Sequence, residues 1–185
     1  MGKTRKIIGV GCGVILAVAI IGFLTFGYFF SHALEQSQKP VTNISKYPTI
    51  RADWPSNLVA HFPAALPSSA MFHFHPGFLQ GGAAIQARVP MSSEQGASLL
   101  SQYSAHALAT YQGGDVNDHS NISNGIPTTF FYTSGTQDLK FPSDFSILVL
   151  HAVNRSQKDP WNHGDSSGIA VSAQRHEVVY WAESW

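Results

Sequence analysis

The stretch "WNHGDSSG", Trp161 to Gly168, places a serine, a histidine and an acid in one short run. Gly164-Asp165-Ser166-Ser167-Gly168 fits the G-x-S-x-G spacing that presents a nucleophilic serine on a sharp turn, with His163 beside it. That turn needs a strand before the serine and a helix after it. Here a polar loop, Asp159 to Asn162, precedes the serine and the apolar run "GIAV" follows as a strand. A Gly/Ser/Asp turn feeding a strand is therefore the preferred reading. Ser166, His163, His119 and Asp118 remain the candidates for a serine site, with His151 as another base and Asp144 as another orienting acid.

"MFHFH", Met71 to His75, carries the second chemical pattern. On a strand, His73 and His75 share a face and could reach one metal ion. His119, His151 or His163 would then supply a third ligand, and Gln80 follows closely. The His-x-His resembles the first motif of cupins, but Gln80 stands where the acidic ligand would be and the second motif is missing. "GDSSG" resembles the "GDSGG" around the nucleophile of chymotrypsin-like proteases, with Ser167 replacing a glycine in a much shorter chain. A divalent metal at His73 and His75 is the one cofactor these residues suggest, and otherwise no cofactor is expected. Asp115, Asn117 and His119 make an oxygen-rich loop that lacks the glycine and distant glutamate of a calcium loop. Aromatic and polar residues at Trp161, Asn162, His163 and Trp181 are the candidates for a binding surface.

These residues need elements to hold them. Two alternating runs, "MFHFH" and "AAIQARV" (Ala83 to Val89), read as strands on either side of glycine-rich turns. Ser92 and Gln95 form a capping box, and apolar spacing continues a helix through Leu100, Ala107, Leu108 and Tyr111 to Gly113-Gly114. "TTFFYT" (Thr128 to Thr133), "FSILVLHAV" (Phe145 to Val153), "GIAVSA" (Gly168 to Ala173) and "EVVYWA" (Glu177 to Ala182) read as further strands. The last two are joined as a hairpin. "FSILVL" is apolar on both faces, as in a central strand. In "EVVYWAESW", Tyr180 and Trp181 point to opposite faces, so one belongs to the core and the other outside it. The prolines between Tyr47 and Pro67 allow short extended pieces and no long helix. The expected class is α+β, a mostly antiparallel sheet of about five or six strands with one main helix.

Ahead of this domain, residues Ile7 to Phe30 contain no charged residue. As a helix they would extend roughly 36 Å, enough to cross a hydrocarbon core of about 30 Å. Lys3, Arg5 and Lys6 precede them, which orients the N-terminus to the cytoplasm. The apolar run is longer than that of a cleavable signal peptide. The expected layout is a cytoplasmic N-terminus (1–6), a single transmembrane helix (7–30), a linker (31–46) and an extracytoplasmic domain (47–185), anchored in the plasma (inner) membrane. The chain carries 11 basic and 11 acidic residues. Removing the three N-terminal cations leaves an acidic body, which argues against nucleic acid. All nine histidines follow the apolar segment. The single cysteine, Cys12, lies within it, so the body has no disulfide.

"PGFLQGG", "NDH…GIPTTFFYT", "WNHG…GIAVS" and "YWAESW" together resemble a family of exported or membrane-tethered bacterial proteins without known activity. The resemblance spans most of the body and implies a cell-envelope setting. The expected role is binding or assembly there, with the membrane and an envelope protein or small ligand as partners. The alternative is a metal-dependent or serine-type hydrolase acting outside the cytoplasm.

Overall fold

Nine consecutive residues, Gly164–Ser172, are buried on both faces and form the centre of the molecule. The computed structural model describes residues 19–32, 34–35, 38–77, 82–114, 124–132, 140–156 and 164–184. They fall into two units, Met1–Lys39 and Pro40–Trp185. In the first, residues 19–32 are helical (α1). Among the described residues no helix is long and apolar enough to cross a membrane; residues 1–18, which include the first part of the expected span, lie outside them.

The second unit is α+β. Its strands are β1 (Met71–His75), β2 (Ala83–Pro90), β3 (Ala109–Gln112), β4 (Ser146–Asn154), β5 (Gly164–Ser172) and β6 (Glu177–Ser184). They form one sheet in the order β1-β2-β6-β5-β4-β3, with every neighbouring pair antiparallel. Two short helices, α2 (Tyr47–Asp53) and α3 (Ser56–Val59), precede β1, and α4 (Ser93–Ser104) lies between β2 and β3. Pro48 sits in the first turn of α2, where its missing N–H costs nothing. Val41, expected in the linker, instead pairs its backbone with Phe74 at the outer edge of β1.

Both faces of the sheet are covered. On the helix face, Ile169, Val171, Val178, Tyr180, Ile85 and Phe72 pack with Tyr47, Leu58 and Phe62. On the other, Trp181, Val179, Ala170, Ile147 and Val149 pack under Ile126, Phe141 and Phe145 from two loop segments. Gln86, fully buried, pins the first segment: its Nε2 donates to the Thr128 carbonyl at 2.6 Å and its Oε1 accepts from the Phe130 N–H at 3.1 Å. Glu177 accepts from Tyr132 Oη and Arg88 Nε, each at 2.7 Å, tying the same segment to β2 and β6.

Several expectations need correction. "GDSSG" is no turn: it is the first half of β5, lengthened because the strand is covered on both sides and needs no polar face. The α4 capping box forms as expected, but the helix stops at Ser104, and Ala109–Gln112 pairs with β4 instead. Sheet pairing there overrides a local spacing that suits a helix. Thr128 to Tyr132 is not a strand, since the Gln86 side chain takes the backbone bonds a neighbouring strand would have made. The segment from Tyr47 holds short helices rather than extended pieces. Tyr180 and Trp181 both lie in the core, 7% and 0% exposed, because the sheet has no solvent face here.

Gly168 faces Trp181 across β5–β6. A Cβ at Gly168 would stand 2.2 Å from the Leu148 carbonyl oxygen and 2.6 Å from two indole carbons. Gly168→Ala is expected to lower unfolding free energy by about 3 kcal/mol or more, measured by chemical denaturation. A variant as stable as the wild type would show that the indole is not seated there.

Candidate functional site

The serine motif presents its two hydroxyls to opposite faces of the sheet, because neighbouring strand residues alternate. Ser166 points to the loop face and Ser167 to the helix face, and both Oγ atoms are buried without a protein partner. Ser167 lies opposite His151 across β4–β5, a position where Cβ atoms are roughly 5 Å apart. A bulge between Val149 and His151 creates this pairing. Strict alternation after Leu148 would send His151 to the loop face; the extra residue, Leu150, turns it back to the helix face. His151 Nε2 is also buried without a protein partner.

This pair borders a cavity of about 330 Å³, closed by Asn57, Ala60 and His61 on one side and Tyr103 and His106 at the end of α4 on another. His61 Nε2 lies 3.2 Å from the Trp181 carbonyl. A carbonyl can only accept, so Nε2 carries the proton and Nδ1 is left as an acceptor. Burial pulls the His61 pKa down to about 4, against weaker support from the Gly168 and Trp181 backbone. Burial first, and the Arg155 cation second, also lower that of His151. Both imidazoles are therefore neutral at pH 7. His61, His151 and the Ser167 hydroxyl give the cavity uncharged donors and acceptors, with Ala60 and Leu150 as apolar wall and Tyr103 as an aromatic surface.

No carboxylate bonds to His151 among the described residues. Asp165, on the same face as Ser167, is engaged by the Arg155 guanidinium, and Asp144 holds Arg175 and Ser172. His73 and His75 do share a face of β1, but the His73 ring stacks on Phe130 at 3.9 Å and His75 Nδ1 lies 3.0 Å from the Pro76 carbonyl. Among the described residues no three histidines, cysteines or carboxylates group closely enough to hold a metal. Trp181, expected as a binding residue, has no exposed surface. Asp118, His119, Trp161, Asn162, His163, Gln80 and the Asp115–Asn117 loop lie outside the described residues.

On the loop face, Glu183 stands opposite Ser166, completely buried, with neither carboxyl oxygen bonded to protein. Burial raises its pKa from 4.5 to about 8, so the group is a neutral acid at pH 7. Strand alternation along "EVVYWAES" puts Glu183 on the same face as Trp181. Nothing in the sequence signalled His61, which sits among prolines, or chose Ser167 over Ser166; the strand register makes that choice. Comparison with protein-family models, with curated proteins and with solved structures finds no match. The site is therefore read from its own geometry.

Glu183 yields a test. An acid whose pKa rises on folding adds stability below its unfolded pKa and loses it as pH climbs to the folded value. Wild type should lose stability from this group between about pH 4.5 and 8. Glu183→Gln should match wild type near pH 4.5 and exceed it by up to roughly 3 kcal/mol at pH 7. Melting curves of both proteins across that range check it. Parallel curves would mean the acid is not buried.

Proposed function

We propose that the chain is a single-pass membrane protein, N-terminus in the cytoplasm, whose outer domain binds a small uncharged ligand in the His61–His151–Ser167 cavity. The observation that carries the binding reading is the opposed pair of buried, protein-unbonded atoms, His151 Nε2 and Ser167 Oγ, at the wall of an open cavity. Buried polar atoms need partners, and a ligand bearing hydroxyl or amide groups supplies them to neutral imidazoles without a charge penalty. A cavity of this size with a few placed polar groups suits a small molecule.

The anchor rests on the apolar run from Ile7 to Phe30 and the cations before it. In α1 the large side chains Ile20, Ile21, Phe23, Leu24, Phe26, Phe29 and Phe30 are all at least half exposed, a surface that suits lipid better than water. The likeness to exported or tethered bacterial proteins supports the same envelope setting.

Hydrolysis is the second reading, favoured by the His151–Ser167 opposition. It uses Ser167 rather than Ser166 as nucleophile and lacks an orienting carboxylate among the described residues, so binding is preferred.

Three outcomes are expected. A reporter fused after Trp185 should be accessible to protease from outside intact spheroplasts; protection would overturn the orientation. In a thermal-shift screen of the full chain, uncharged hydroxylated or amide compounds should raise the melting temperature, and Ser167→Ala and His151→Ala should abolish the shift. Hits confined to charged compounds would exclude this reading. A fluorophosphonate probe should leave Ser167 unlabelled; labelling lost in Ser167→Ala would establish the hydrolase instead.

A further inference from the structure

A second cleft, sharing no described residue with the histidine cavity, opens between α2 and the ends of β1, β2 and β6. Its volume is about 310 Å³, and its walls are Ile50, Trp54, Phe74 and Ala83, with Asp53 and Ser184 as the polar members. Trp54 and Phe74 meet edge-on, with ring centroids 6.5 Å apart and planes at 81°. Asp53 is the one charged residue lining the cleft among the described residues. It is exposed and pairs with no basic side chain among the described residues. Arg51, the nearest cation in sequence, is turned away: its guanidinium donates to the carbonyls of Val59 and Phe62 at 3.4 and 3.2 Å.

We infer that this cleft binds a small organic ammonium ion, its cationic head at Asp53 and its apolar body against Trp54 and Phe74. The two attractions reinforce each other. An indole or phenyl face attracts a cation through its quadrupole, and the carboxylate adds a Coulomb term of the same sign. An anion of the same shape meets repulsion from Asp53. A neutral isostere keeps only the apolar contact. Ser184, half-buried at the rim, can accept one ammonium N–H.

The test uses the full chain in a nonionic maltoside detergent and three matched probes: phenethylammonium, 2-phenylethanol and phenylacetate, titrated by calorimetry. The ammonium should bind saturably and about tenfold more tightly than the alcohol, with no binding of the carboxylate. Asp53→Asn should weaken ammonium binding toward that of the alcohol, and Trp54→Ala should weaken both. Asp53 is exposed, so its substitution should leave the melting temperature unchanged, which separates loss of binding from loss of fold. Equal affinity for ammonium and alcohol, no saturable ammonium binding up to about 10 mM, or undiminished binding by Asp53→Asn would each overturn the assignment.

Discussion

The contact of Trp181 with the bare backbone of Gly168 joins the two halves of the domain. The indole lies across a strand position that has no side chain, and it reaches Phe141 with ring centroids 5.9 Å apart. The loop-face core is assembled around it. On the opposite face the carbonyl of the same residue accepts from His61, which fixes the tautomer of a cavity-lining imidazole. A single residue thus sets the packing on one side of the sheet and the hydrogen-bonding character of the cavity on the other.

A sheet covered twice has little room for water, and this decides the chemistry. Helices α2 to α4 shield one face, and the segments 124–132 and 140–145 shield the other. Gly125, held at a φ of +75°, lets the first of these approach Val149 and Ala152 closely. Between such layers burial pulls the pKa values of His61 and His151 down and that of Glu183 up, favouring the neutral form of each. The exposed charges that remain, such as the Arg175–Asp144 pair, sit at the margins and hold loops rather than ligands.

Much of this was legible in the sequence. Alternation located β1, β2 and β6, the capping box located the start of α4, and the apolar run located β4. The misreadings share one physical origin: local pattern is silent about what covers a segment. "GDSSG" has the composition of a turn, yet burial on both sides makes it strand. "TTFFYT" has the composition of a strand, yet Gln86, distant in sequence, takes its backbone bonds. Ala107, Leu108 and Tyr111 keep helical spacing, but pairing with β4 prevails at Ala109–Gln112. Of the two serines in the motif, the strand register turns Ser167 toward the proposed cavity and Ser166 to the other face of the sheet. Only a register that includes a bulge could bring His151 and Ser167 to the same face, and bulges leave no mark that one sequence reveals.

Glu183 carries one further consequence. Because its carboxyl keeps a hydrogen that the unfolded chain gives up at neutral pH, collapse of this domain withdraws a proton from the medium. The measured heat of folding then contains the ionisation enthalpy of whatever buffer supplies that proton. Calorimetry in phosphate and in Tris would return different enthalpies for one and the same structural transition.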